Sequence, residues 1–309
     1  MGAVSMEGFS PRTVDKVERL LDLMEEMGRH PDLEGRLAMH GGTAINLFML
    51  DAPRLSVDID ISYVGAVDRD ETLAERPRVE LGIEEVARYL GYDVPPTRSE
   101  HAGRTFMLRY RGDWGPDHVK VDCVFLNRSP LVPPEPRPCA VRPDANVVTF
   151  CDAELAGGKV KAFFDRVKVR DLYDVCNLEG VLASADADYE ALAHRAMLYY
   201  ASISARFPQP FEGRTKRFAD RQGELESQLL PMLRAADERP SLQGLMETAE
   251  RFIEAHVLPR TDAEREYLDR LAAGDYRPGL LFPDERMAAA AERSPAALWK
   301  LRNLRRMNG

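Results

Sequence analysis

The sequence predicts an α+β chain, with a mixed β-sheet flanked by helices in its first half and a mostly α-helical second half. Three observations predict it. Short runs of alternating apolar and polar residues recur before residue 127, a Pro-rich stretch (RSPLVPPEPRPCAVRP, residues 128–143) follows them, and from Cys151 apolar residues recur at three- and four-residue spacing. At 309 residues the chain can bury a substantial core without disulfides, and the expected division is 1–150 and 151–309.

Each element has a local reason. Ser10-Pro11 makes a helix start, and Val14, Val17, Leu20, Leu21 and Met24 recur at helical spacing, so a helix is expected over 11–27, ended by Gly28. Residues 36–40 read as a short strand, 43–50 as a helix springing from two glycines, and 57–64 as a strand of alternating character. Another helix is expected at about 79–90. Residues 105–111 and 118–126 are strand-like runs joined by the turn-rich GDWGPD, a hairpin signature. The prolines of 128–143 predict an extended crossing segment without regular structure and mark the boundary between the two parts. Helices are then expected at 155–164, 172–182, 189–200 and 242–257, with the Ala-rich 287–291 also helical.

A net charge of −9 argues against a whole surface built for polyanions and leaves room for a local basic stripe. Cys123, Cys139, Cys151 and Cys176 form no CxxC pair, so buried reduced thiols are expected rather than a zinc site. No run approaches the length of a membrane span, and the start, MGAVSMEGFSPRTVDKVERL, lacks an apolar secretory stretch; the expected location is the cytoplasm, without membrane contact.

The chemistry concentrates in HGGTAINLFMLDAPRLSVDID, residues 40–60. In the strand VDIDISYV, Val57, Ile59, Ile61 and Tyr63 point one way, and Asp58, Asp60 and Ser62 the other. Two neighbouring carboxylates repel unless a cation sits between them, and hard oxygen ligands suit Mg²⁺, which keeps water and phosphate oxygens in its shell. That arrangement fits phosphoryl or nucleotidyl transfer. In HVKVDCVFLN, Asp122 is placed to complete a triad. Gly41-Gly42-Thr43 opens a helix whose N–H groups attract phosphate. Taken singly, a DxD is more often a solvated edge and a GG an ordinary turn; their order and separation raise the combination above either part.

This combination resembles the DNA polymerase β-like nucleotidyltransferase superfamily. GGTAINLF and RLSVDIDISY, together with KVKAFFDRVKVRDLYDV and the C-terminal LLFPDERMAAAAERSPAALWKLRN, look like the AbiEii/AbiGii/MenT group of bacterial toxins, from about residue 36 to the C-terminus. The resemblance implies a polymerase β-like core completed by the helical part, and a toxin paired with a cognate antitoxin. Its reaction would move a nucleoside monophosphate from a nucleoside triphosphate to an RNA acceptor, tRNA above all, to arrest growth. Carried over, Gly41, Gly42 and Thr43 hold triphosphate, while Asp58 and Asp60, with Asp122 matching by position, hold Mg²⁺, or Mn²⁺ in its place. Lys159, Arg170, Asp171 and Asp174 correspond to the second motif, with Lys161 competing for the role of Lys159. Lys159 would neutralise triphosphate charge, and Asp171 and Asp174 would position Lys159, Arg170 or the nucleoside.

Other residues are read from position alone. Arg54 is placed to pair with a carboxylate or phosphate, and phosphorylation of Ser56 would put negative charge beside the carboxylates and block nucleotide binding. Lys159, Lys161, Arg166, Lys168 and Arg170 form a basic run, Arg302, Arg305 and Arg306 a basic end, and RFPQPFEGRTKRF (206–218) an Arg/Phe loop in which core packing is the expected role of Phe207 and Phe211. The rivals to RNA modification are transfer to a protein or small molecule, and triphosphate binding without transfer.

Overall fold

The computed structural model describes residues 2–308, which divide into two compact units. The first comprises 1–128, 133–150 and 232–235; the second comprises 129–132, 151–231 and 236–309.

The first unit carries the sheet. Helix α1 (Pro11–Arg29) starts with proline at its first turn and buries Val17, Leu20, Leu21, Leu23, Met24 and Met27; it runs through Gly28 rather than stopping there. Strand β1 (Leu37–His40) leads into α2 (Gly41–Ala44), which widens into a π-helical turn, Ile45–Met49. Strand β2 (Asp58–Tyr63) follows, then α3 (Arg69–Tyr89), which starts ten residues before the expected helix. The early start has a local cause: Asp68 accepts the N–H groups of Asp70 and Glu71, and Pro77 lies inside the helix without ending it.

Strands β3 (Gly103–Gly112) and β4 (Gly115–Val124) pair down to Gly112 opposite Gly115, so their turn is tighter than the six-residue connector read from the sequence. The Pro-rich segment is not wholly irregular: β5 (Glu135–Pro138) lies in it and pairs antiparallel with β6 (Asn146–Thr149). Its prolines are tolerated because β5 is the edge of the sheet, ordered β3-β4-β2-β1-β6-β5, where missing N–H groups leave no ladder unmade. The sheet is mixed, with β2 parallel to β4 and antiparallel to β1. Residues 232–235 belong here because Met232 O accepts the N–H of Leu55 at 3.0 Å and Arg234 donates to Ala52 O at 3.2 Å.

The second unit is helical: α4 (Asp152–Asp165), α5 (Val169–Ala183), α6 (Ala187–Ser202), α7 (Gln222–Glu224), α8 (Leu242–His256), α9 (Asp262–Ala272), α10 (Glu285–Arg293) and α11 (Pro295–Asn308). Helices α4 and α6 approach closely at Gly157, where a Cβ would meet Tyr200 Cδ2 at 2.5 Å and Ala196 O at 2.9 Å. Phe207 and Phe211 are core residues, Phe211 stacking on Phe164 with centroids 5.1 Å apart, so neither offers a free ring. Glu154, buried in α4, accepts the N–H groups of Leu131 and Val132 and the Tyr200 hydroxyl at 2.9–3.1 Å, which fastens residues 129–132 to this unit. All four cysteines are free thiols. Among the described residues, no helix is long and apolar enough to cross a membrane.

Candidate active site

Strand register builds the first group of residues. Asp60 lies opposite Asp122 on β4 and opposite His40 on β1, while Asp122 lies opposite Thr105 on β3. Thr105, Asp122, Asp60 and His40 thus form one row across four strands, with neighbouring strands about 4.8 Å apart. Asp58, two residues along β2, faces the same side opposite Lys120. The alternation that separates Ile59 and Ile61 into the core places all three carboxylates together on the other face. Ser62, expected beside them, is fully buried instead.

Gly41 explains the glycine turn. Its φ is +74°, a conformation that favours glycine, and a Cβ there would meet Asp60 Oδ2 at 2.2 Å and Asp60 Cγ at 2.8 Å. The Asp60 carboxylate packs against bare backbone. Thr43 is buried, and its hydroxyl donates to Asp58 O at 2.5 Å, so the turn is fastened to the strand that carries the aspartates.

A lysine stands among these acids. Asp122 accepts the Thr105 hydroxyl at 2.5 Å and pairs with Lys120. Burial works against the Lys120 ammonium, but Asp122, Asp58 and Asp60 outweigh it and raise its pKa. Lys120 therefore feels all three carboxylates. His40 adds no certain charge: burial pushes its pKa down, against the pull of Asp60, and its Nε2 has no hydrogen-bond partner.

The second unit holds a different group. Lys159, on α4, lies 2.9 Å from Asp171 Oδ1 and 2.8 Å from Asp174 Oδ2, all three at most 4% exposed. Asp171 and Asp174 lie three residues apart at the start of α5, so one helical face presents both. Arg166 donates to both oxygens of Asp171, at 2.5 and 3.1 Å. Burial opposes ionisation of Asp171, yet Lys159 and Arg166 hold its carboxyl below the usual range.

A family model for the AbiEii nucleotidyl transferase toxins of type IV toxin–antitoxin systems matches residues 22–273. The chain belongs to this family. It is a nucleotidyltransferase toxin by that membership, and the family implies an antitoxin partner and use of a nucleoside triphosphate. In fold it is similar to the nucleotidyltransferase toxin MenT4 from Mycobacterium tuberculosis H37Rv, with 16% identity, 93% of each chain covered and a TM-score of 0.55. It also aligns with JHP933 from Helicobacter pylori over 86% of this chain and 97% of that one, at 14% identity and a TM-score of 0.49. No match was found among curated protein sequences.

The remaining expected residues of this AbiEii-family chain fall as follows. Lys161 is paired with Asp165 at 2.5 Å and stands apart from the Lys159 group. Arg170 makes no ion pair among the described residues; it is Arg166, counted in the sequence only as part of a basic run, that clasps Asp171. Arg54 is 2% exposed and donates to Leu55 O at 3.2 Å. Ser56 is buried, so a kinase would reach it only after the 50–57 segment opens. Gly42 is half-buried beside Gly41. Sequence reading missed Lys120 and Thr105 as members of the site; period-2 alternation puts Lys120 on the face of Asp122, but only strand register brings it to Asp58.

Among the described residues, no three His, Cys, Asp or Glu side chains are gathered tightly enough to hold a metal ion. The donor set nevertheless fits a hard divalent cation. Two carboxylates suffice for Mg²⁺ when water and phosphate oxygens complete the shell, and an ammonium already stands among these carboxylates as a cation of lower charge.

Proposed function

We propose that this toxin transfers a nucleoside monophosphate from a nucleoside triphosphate to a hydroxyl of RNA, with tRNA as the acceptor class, using Mg²⁺ or Mn²⁺ held by Asp58 and Asp60 with Asp122 beside them. The observation that supports it most is the gathering of Asp58, Asp60 and Asp122 on one sheet face. Carboxylates held side by side favour a cation between them, which a divalent ion arriving with the substrate would supply.

The bound cation would draw charge from the triphosphate as the acceptor oxygen bonds to the α-phosphorus and the bond to pyrophosphate breaks. The chain supplies the positioning. Gly41 and Gly42 present backbone without side chains to the phosphates, Thr43 keeps that turn against the strand, and Asp122 holds Lys120 beside Asp58. Lys159, oriented by Asp171 and Asp174, is assigned to triphosphate charge on its motif's resemblance to the family's. Nothing in this scheme needs an enzyme nucleophile, since the attacking oxygen belongs to the acceptor.

The test offers purified protein, total bacterial RNA, Mg²⁺ and each ribonucleoside triphosphate labelled at the α-phosphate, beside Asp60→Ala. Label entering RNA with the intact protein alone is the expected result and identifies the donor. Label entering only protein or a small molecule would replace the acceptor; divalent-dependent triphosphate binding with no label anywhere would remove transfer altogether.

A further inference from the structure

Four cations of the second unit lie near the C-terminal end of α4, and none of them is held by an acid among the described residues. Arg217 donates to Phe164 O at 3.0 Å; Arg214 donates to Pro210 O at 2.8 Å and to Gln209; Lys300 donates to Phe207 O at 2.5 Å and Ala205 O at 3.3 Å. Their partners are neutral carbonyls and an amide, and none of the three makes an ion pair among the described residues. The Arg206 side chain, exposed in the same loop, has neither hydrogen bond nor ion pair among the described residues. By contrast, the other basic side chains packed on α4 are matched: Lys159 by Asp171 and Asp174, Lys161 by Asp165, Arg166 by Asp171.

These cations also face one another. Beyond the effect of burial, Arg217 and Arg206 lower the pKa of Arg214, and Arg206 lowers that of Arg217. Lys300 feels Lys161 in the same sense, and Asp165 is the acid that opposes both Arg217 and Lys300. Asp165 is itself occupied by Lys161 and by the Ala205 N–H. Holding like charges together on fixed carbonyl anchors, in a chain whose net charge is −9, costs free energy that no partner within the unit returns. An anion of repeating negative charge would return it.

We propose that the phosphodiester backbone of the RNA acceptor docks on the exposed Arg206 and half-buried Arg217, at the C-terminal end of α4, with the buried Arg214 and Lys300 adding positive charge to that surface. This rests on the RNA-acceptor reading above. Asp165 ends the helix that carries Lys159 six residues earlier, about 9 Å of helix rise away, so a strand bound here lies a nucleotide or two from that lysine. Phosphate contacts of this kind set affinity and register rather than sequence, and fixed guanidiniums suit phosphate oxygens.

The experiment measures binding of fluorescently labelled bulk tRNA to the full chain, without nucleotide, over a series of salt concentrations. Arg206→Gln with Arg217→Gln is expected to weaken binding about tenfold or more and to flatten the plot of log affinity against log salt by about 1.5, the value of two lost phosphate contacts. Arg206→Gln alone, at a side chain without partners, leaves folding intact and should flatten the slope by about 0.7–0.9. Asp60→Ala should keep the full slope. If the intact protein binds and labels RNA while both variants keep its affinity and slope, this surface is wrong and the acceptor reading stands. If the intact protein neither binds nor labels RNA, both fall. Should inorganic phosphate raise the thermal midpoint of the intact protein but not of the double variant, with tRNA affinity equal in the two, the cluster is a free-anion site and the proposal is overturned.

Discussion

The carboxylates of β2 and β4 and those of α5 make an instructive pair. On the sheet, Asp58, Asp60 and Asp122 share Lys120 and are partly exposed; on the helix, Asp171 and Asp174 are matched by Lys159 and Arg166 and almost wholly buried. A balanced buried group depends on each of its partners, because removing one leaves a charge in low dielectric. A half-exposed group of neighbouring carboxylates stays open to a cation that comes and goes. The two kinds of acid should therefore respond to substitution in opposite ways.

The largest effect is expected at the sheet. Asp60→Ala should lower nucleotide transfer by about a thousandfold or more, about 4 kcal/mol of transition-state stabilisation, while chemical denaturation shows a much smaller change in stability. A folded-state loss comparable to the activity loss would erase the contrast. Asp174→Ala should show the reverse balance in denaturation, losing about 3–5 kcal/mol because Lys159 keeps a single carboxylate in a buried site. Equal stability of that variant and the parent would mean that the helix group is not structurally committed.

Intermediate effects sharpen the geometry. Gly41→Ala forces a left-handed backbone on alanine, about 1–2 kcal/mol, and drives a methyl into the Asp60 carboxylate; divalent-cation affinity, read by titration calorimetry, should fall with activity. Glu154 offers a pH test in the helical unit. Burial pushes its carboxyl up to about 7, against the N–H and O–H groups that it accepts. Between its ordinary value and 7 the native state holds a proton that the unfolded chain has released, so this contribution is fullest in acid and declines as pH rises through 7, by roughly 3 kcal/mol. Melting curves of Glu154→Gln should lack that decline. The smallest effect is at Lys120: Lys120→Gln removes the resident cation and should tighten divalent-cation binding several-fold. Weaker binding would show that Lys120 supports the cation site rather than competing with it.

How far the sequence reveals these groups depends on whether the signal is local. The DxD strand and the glycine turn are legible because strand alternation and the demands of a positive φ act within a few residues. Helix α3 escapes because its first half, RDETLAER, is charged and Pro77 suggests a break, while its buried Glu80 is satisfied by Arg76 and Arg104 from a distant strand. Strand β5 escapes because prolines argue against pairing unless the edge position is known. The association of Lys120 with Asp58 and Asp60 depends on β2 and β4 being neighbours, a fact of topology that no spacing within VDIDISYV or HVKVDCVFLN carries. Arg166 and Arg170 are equivalent as text, and only the entry of the chain into α5 decides which one turns toward Asp171.

The hydrogen bond from Thr43 to the Asp58 carbonyl has a kinetic meaning. It joins the part that would meet phosphate and the part that would meet the cation into one preorganised piece, so their separation is fixed before either ligand arrives. The entropy of aligning them is lost once, when the chain folds, and not again at each turnover. A donor nucleotide can then bind weakly and leave readily, yet still be correctly placed during its short residence.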